Sequence, residues 1–510
     1  MNIPSALHAF IETAGTLEKQ APSFRPGQLF FGRVQKLFPD QLAEIKLGSH
    51  TLLARLEAPL QAGHSYWLQV ESLEGDVRLK VAASSESQEG VPDAGKLLAR
   101  VGIPDSRETR QLIQMMQKEQ LTMPKELLAK AGEWLKQSPD GARALQAVKL
   151  MAVRGLPFTA GVFQSLLAAD AQESLTASLS RLASELSSVS LKSDTARELI
   201  LFLTELKGNG IKGEGELLAE AIRAGAGTPG TASSLLKKLQ AAGVMPEASS
   251  SAVSALARPV SGYPAAVLEA LFQGQEPKLP NGKTISLTAA ERQWVGDTVQ
   301  SMQPLDGRDV KDFLKQGIRS AGLFYEGNLM MREADQSALK PLLVRFMKEA
   351  GNPAEAGARE MARQIVYRMN GQQILSFEDG PLQHIIMQFP LAQSGRQADV
   401  TLQWSGRKRE NGQLDADYCR VLFYLDLETI KETVVDMQVQ NRVVTVHVLN
   451  SHPAVREEAY LLIPALKSGL KEIGYELSSV HVQPPSAKGR ANVERPYPQS
   501  MSYKGVDVRI

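Results

Sequence analysis

The chain of 510 residues reads as a multidomain α+β protein. It has a small N-terminal β-barrel of the OB or SH3-like kind, a central all-α region, and a C-terminal α+β domain of one sheet plus a helix. Three observations predict this. Five short apolar runs of period two occupy residues 28–82. From about residue 95 to 375 the apolar positions recur at helical spacing. Beyond Gly380-Pro381 the alternation returns, with one helical stripe near its end. At roughly 150 residues per domain the length suits about three units. Hydrophobic residues at 43% and charged residues at 22% exclude a disordered or collagenous chain.

Residues 1–24 carry Leu7, Phe10, Ile11, Ala14 and Leu17 at helical spacing, a short amphipathic helix. Its polar face lacks the Lys and Arg of a membrane-surface helix, so it reads as a cap on the next domain. The first basic residue is Lys19, which excludes a secretory signal, and no run approaches a membrane span. Residues 25–82 hold the strands Gln28–Leu37, Leu42–Leu47, Thr51–Leu56, Tyr66–Ser72 and Val77–Ala82, with turns at Pro39-Asp40, Gly48-Ser49, Gly63 and Gly75-Asp76. Such strands bury their apolar sides by curling into a barrel. Phe30, Phe31, Phe38, Tyr66 and Trp67 suggest a stacking platform for single-stranded nucleic acid. Six basic residues against six acidic in Gln28–Ala82 give no basic groove, which favours core or protein-contact roles for the aromatics.

Residues 83–94 read as a linker. The helices of 95–375 begin with Asp105 and Glu108 spaced as a capping box ahead of Leu112, Ile113, Met115 and Met116. Thr122 and Pro124 precede the stripe Leu127, Leu128, Ala131, Leu135, and Gly141 opens the next. The Met pair reads as core filling. Gly- and Ser-rich breaks at 226–234 and 247–253 suggest two subdomains split near 226–253. Residues 376–483 alternate as strands at Leu382–Phe389, Ala398–Gly406, Cys419–Leu427, Thr433–Val439 and Val443–Leu449, with a tight hairpin at Gln440-Asn441. A helix follows from Pro453, with the packing stripe Val455, Ala459, Leu462, Leu466, Leu470 and Ile473, an expected kink at Pro464, and Gly474 as its stop. Leu477–Val482 closes the sheet. Residues 484–510 carry five basic residues against two acidic, a flexible basic tail.

Chemistry is sparse. Gly208, Gly210 and Gly213 spell a dinucleotide fingerprint but follow a helical run, so a helix–helix turn is expected. Gly282-Lys283-Thr284 lacks the leading glycine of a phosphate loop, where Pro277 stands. The histidines are scattered; His447 and His481 can converge on neighbouring strands but lack a third ligand. Cys419 lies within a strand and reads as a buried thiol. One cysteine excludes internal disulfides and fits a reducing, cytoplasmic setting. Asp426, Glu428, Glu432 and Asp436 read as a solvated edge. The 57 Lys and Arg against 56 Asp and Glu give no chain-wide field for nucleic acid or membranes. The reading is a non-enzymatic protein with no cofactor and no metal.

The matching positions Leu425, Leu427, Val435, Met437, Val439, Val444, Val446, Val448, Ile463, Pro464, Leu466, Leu470, Gly474 and Val480 resemble the C-terminal domain of the flagellar hook-length control family. That pattern is a strand and leucine-rich turn, two strands, a helix with Leu-Pro-x-Leu-x-x-x-Leu ahead of Gly, and a final valine-rich strand. Ile318–Glu326 (IRSAGLFYE) resembles a stretch upstream of that domain. Glu428 stands where the family's turn has proline, and a barrel and helices replace its disordered N-terminal half. The resemblance implies a cytoplasmic protein that docks on the switch subunit of a type III export gate, or on a stand-alone homologue of its switch domain, and changes which substrates pass. Expected partner contacts are Arg407, Lys408, Arg409, Leu425, Leu427 and Pro464, with Arg407–Arg409 otherwise a solvated hairpin tip. The alternative reading is an OB-like nucleic-acid-binding protein with a helical spacer.

Overall fold

The computed structural model describes residues 24–485 with breaks, the longest at 85–93, 245–266, 276–283, 302–314 and 327–334. The expected N-terminal helix, the basic tail beyond residue 485, most of the 83–94 linker, Gly210, Gly213, Gly282-Lys283 and the Ser-rich break 247–253 lie outside the described residues.

Five strands, β1 (Gln28–Leu37), β2 (Leu42–Leu47), β3 (His50–Leu56), β4 (Ser65–Ser72) and β5 (Arg78–Ser84), pair in the order β2-β3-β5-β4-β1 and close through β1–β2. Alternate residues point inward, so Phe30, Val34, Ile45, Ala54, Leu68 and Leu79 make the barrel core. β6 (Met123–Pro124) adds to β1, with Leu29 opposite Met123.

Five helices follow: α1 (Ala94–Val101), α2 (Arg107–Glu119), α3 (Lys125–Gln137), α4 (Gly141–Val153) and α5 (Ala160–Ala169). Leu29 and Trp67, on the outside of the barrel, join their core. The expected capping box falls one residue later. Ser106, extended at φ −136°, accepts from Thr109 N–H, and Thr109 Oγ1 accepts from Ser106 N–H. Asp105 accepts from Arg110 instead, which holds its carboxyl below the usual range.

The next helices are α6 (Leu175–Ser188), α7 (Asp194–Gly208), α8 (Glu214–Gly225), α9 (Thr231–Ala241), α10 (Ala289–Ser301), α11 (Leu339–Lys348) and α12 (Ala356–Leu375). α8, α9 and α10 share a separate core of Leu218, Ile222, Leu235, Leu239, Leu271 and Val295. The expected split near 226–253 therefore falls inside one core. α10 opens with Thr288 and Glu291 capping each other's N–H groups.

The C-terminal sheet has the strands β7 (Phe377–Asp379), β8 (Leu382–Gln393), β9 (Arg396–Lys408), β10 (Leu414–Leu427), β11 (Lys431–Gln440), β12 (Val443–Asn450) and β13 (Glu476–Gln483), in the order β13-β12-β11-β10-β9-β8-β7. Neighbours are antiparallel except β12 and β13, joined by the crossover helix α13 (Ala454–Glu472). The β11–β12 turn is Asn441-Arg442, φ 51° and 65°, as a primed hairpin turn requires; it sits one residue beyond the expected pair.

The sheet does not stand apart from the helices, against the expectation of a self-contained unit. Met387, Phe389 and Val400 complete the core of α6, α7, α11 and α12. Asp399 of β9 is buried and accepts from Leu175 N–H (2.5 Å), Thr176 N–H (2.9 Å) and the Thr176 hydroxyl, capping α6 from the sheet. Where β7 ends, β8 becomes the sheet edge, and α12 covers it. Ser376 Oγ accepts from Ile386 N–H at 2.9 Å and Gln372 Oε1 from Gln388 N–H at 3.0 Å. Ile318–Glu326 lies against the same helices: Lys340 of α11 donates to Glu326, and Gln373 of α12 to the Leu323 carbonyl. No described helix is long and apolar enough to cross a membrane.

Candidate functional site

One sheet face is apolar across its width: Phe389, Leu402, Val421, Met437, Val446 and Val480 alternate with the polar residues of the other face. The helices of the second core cover its β8–β9 end. α13 covers the β12–β13 end through Ile463 and Leu470, with Val455 and Ala459 half-buried. None of its 19 residues is buried. Leu461 is 73% exposed, Ile473 67% and Leu462 66%, with Tyr460 and Leu466 beside them. The expected stripe is therefore corrected: Leu470 packs, Val455 and Ala459 are half-buried, and Leu462, Leu466 and Ile473 are exposed. The signal lay in Tyr460-Leu461-Leu462-Ile463. At 100° per residue, four consecutive apolar residues wrap most of a helix and cannot all face one sheet. The helix runs on through Pro464, the position of the expected kink, and Pro464 is exposed.

The other expected contact residues are dispersed. Lys408 pairs with Glu378 at 2.8 Å, and Arg409 with Asp415 and Asp417 at 2.6 and 3.0 Å. Arg407 lies over the Tyr418 ring. Lys408 and Arg409 are thus matched by carboxylates, and Arg409 holds the Asp415 carboxyl below its usual range. Leu425 packs half-buried against the helical core, and Leu427 is half-buried near the end of β10.

The polar face of the sheet holds a chain of partnered groups. Arg420 donates to both oxygens of Asp436, at 2.9 and 2.8 Å, with both side chains buried. This corrects the reading of Asp436 as part of a solvated edge. His447 and His481 stack with ring centroids 5.0 Å apart, and burial lowers the His447 imidazole below its usual value. No group of three or more metal-ligating side chains occurs among the described residues. Burial, reinforced by Asp415 and Asp417, pushes the Cys419 thiol up to about 11.

The barrel carries a second surface. The pleat brings Arg33 opposite Lys46 and Arg55 opposite Arg78, with Lys36 opposite Glu44 and Leu53, 57% exposed, opposite Glu44 on the other side. Six basic residues, Arg33, Lys36, Lys46, Arg55, Arg78 and Lys80, thus share β1, β2, β3 and β5 with Glu44. Glu57 lies among them, near enough to Arg78 and Lys80 for both to lower its carboxyl, while a hydrogen bond with Glu71 raises it overall. Counting charges along the segment did not show these cross-strand neighbours, although the alternation of Lys46 between Ile45 and Leu47 already placed Lys46 on the outer side. Of the aromatics, Phe30, Tyr66 and Trp67 are buried, Phe31 packs on Trp67, and Phe38 is exposed.

Residues 7–80 match the family model described as the TP0910 S1-like domain. Across 95% of its length the chain is 25% identical to the uncharacterized protein YlqG of Bacillus subtilis (strain 168), covering 94% of that protein. No solved structure matches the chain significantly.

Proposed function

We propose that this chain is a non-enzymatic cytoplasmic protein-interaction protein whose C-terminal sheet and helix dock on another polypeptide through α13. The observation that carries the reading is a 19-residue helix with no buried residue and Leu461, Leu462 and Ile473 turned to solvent. A contiguous apolar surface of this kind is a contact surface. The hook-length resemblance supports the same helix, because Ile463, Pro464, Leu466 and Leu470 carry its Leu-Pro-x-Leu-x-x-x-Leu pattern. It names the partner as the cytoplasmic switch domain of a type III export gate or a stand-alone homologue, and the effect as a change in which substrates pass. The test is capture of the full chain by that switch domain. Replacing Leu461 and Leu462 together with Asp is expected to weaken capture by about 30-fold or more, as loss of a contact hot spot does, with the melting temperature unchanged. Absence of capture of the unaltered chain sinks the reading.

A second reading rests on the S1-like match and on the basic strand face of Arg33, Lys36, Lys46, Arg55 and Arg78. In it the barrel holds single-stranded nucleic acid and the helices act as a spacer. Fluorescence anisotropy with a single-stranded oligonucleotide at about 50 mM salt tests it. Lys46→Glu with Arg78→Glu is expected to abolish binding and flatten the salt dependence. Binding no stronger than to albumin removes it.

A further inference from the structure

The sheet face that carries Arg420 and Asp436 is buried across most of its width, although the described helices pack mainly on β8 and β9, and α13 on β13. One cross-strand row on this face runs Ile386, Gln403, Leu422, Asp436, His447, His481, from β8 to β13. Its first four members are buried, His447 is half-buried and His481 is exposed. In the next row Tyr424, Val434 and Leu449 are buried, and Gln483 of β13 is exposed. Leu422, Tyr424, Val434 and Leu449 form an apolar cluster of their own, with Leu422 at 1% exposure and Leu449 at 3%. Among the described residues no helix contributes an apolar side chain to it. A sheet face open to water leaves its side chains wet, as His481 and Gln483 are. Four buried apolar residues need a cover.

Burial fades toward β13, so the cover enters from the β8 side. Ile386 of β8 belongs to the core that holds Leu29 and Trp67 of the barrel. Residues 1–23 lead into that barrel at Phe24, whose ring packs on Phe30 with centroids 5.4 Å apart. They therefore begin their path on the side of the sheet where the cluster lies. Leu422 is two strands from Ile386, about 10 Å, and residues 18–23 span about 20 Å when extended. The stripe Leu7, Phe10, Ile11, Ala14 and Leu17 then supplies apolar side chains at helical spacing for an apolar seat. The other terminal segment fits poorly. Residues 484–510 leave β13 where the face is exposed, and their four prolines and five basic residues offer no such stripe.

We propose that residues 1–23 form a strap across this face, an amphipathic helix whose apolar stripe seats on Leu422, Tyr424, Val434 and Leu449. The cap expected on the barrel thus serves the C-terminal sheet. The strap ties the start of the barrel to that sheet and holds the two in one body.

Photo-cross-linking of the full chain locates the strap. Phe10→p-benzoylphenylalanine, irradiated and mapped by mass spectrometry, is expected to join residue 10 to β10, β11 or β12 of the same chain. Joining to the barrel, to another chain, or to none of these three strands overturns the proposal. Phe10→Asp with Ile11→Asp is expected to speed amide exchange in β10–β12 by about tenfold or more, as loss of buried apolar contacts does, while β1–β5 exchange as before. Unchanged exchange in β10–β12, or lost protection in the barrel instead, overturns it as well. Should that variant not fold, the cross-link alone decides.

Discussion

Cys419 sits in β10 with its thiol pushed up to about 11, from 9.0. Two units leave roughly a hundredfold less thiolate at neutral pH, and thiolate is the reactive form. Maleimide labelling of the native chain is therefore expected to be slow and to become rapid in denaturant. Fast native labelling is the contrary result. Here the sequence was informative, because a cysteine between alternating apolar residues has one side to face. Asp436 was not legible in the same way. It is charged and near other acids in sequence, yet its partner Arg420 is 16 residues away on the neighbouring strand. Asp436→Ala removes one half of a buried pair and is expected to cost about 3–5 kcal/mol in chemical denaturation. Glu291 carries a pH dependence. Burial raises its carboxyl, but hydrogen bonds from Lys238, Thr288 and Ser234 outweigh that and bring it to about 2, below its ordinary 4.5. A lowered carboxylate pKa adds stability that is whole above about pH 4.5 and lost as pH falls toward 2. Glu291→Gln is expected to flatten the acid limb of thermal stability over that window, while leaving the neutral-pH slope unchanged.

Elements were legible wherever a single face is buried. The barrel strands and most sheet strands lie within two or three residues of the boundaries expected from alternation, because a pleat with one wet side writes itself as period two. β8, β9 and β10 run longer than expected, since part of their length is paired in hairpins rather than packed on a core. Helix stripes were less reliable. α13 has apolar residues on two sides, and sequence alone does not say which side a sheet takes. Close helix crossings were invisible: a Cβ on Gly371 of α12 would clash with the Ser165 carbonyl oxygen and lie 2.7 Å from Ala169 Cβ. Gly371→Ala must push α5 and α12 apart, and overpacking of this kind costs about 1–3 kcal/mol. The expected outcome is a lowered melting temperature; an unchanged one means the crossing yields without strain.

At the scale of the molecule, three units were visible in the periodicity, but their fusion was not. Fusion depends on residues far apart in sequence, such as Trp67 of the barrel against the first helices and Phe389 of the sheet against α6, α7 and α12. Charge behaved similarly: a balanced count over residues 28–82 did not show that Arg33 meets Lys46 and Arg55 meets Arg78, because pairing across strands, not order along the chain, decides which charges are neighbours. A chain ending before residue 376 is expected to lose cooperative unfolding in α6, α7 and α12, read by circular dichroism. Retention of a sharp melt there means these helices need no sheet.

The Asp399 cap on α6 has a consequence for synthesis. The helix leaves the ribosome 224 residues before the carboxylate that seats it, a delay on the order of 10–45 s at usual elongation rates. Throughout that interval the leucines of α6 and α7 have no sheet to rest on. The nascent polypeptide is thus a natural client for chaperones that bind exposed apolar segments, and depleting them should send newly made chains into aggregates while leaving finished molecules untouched.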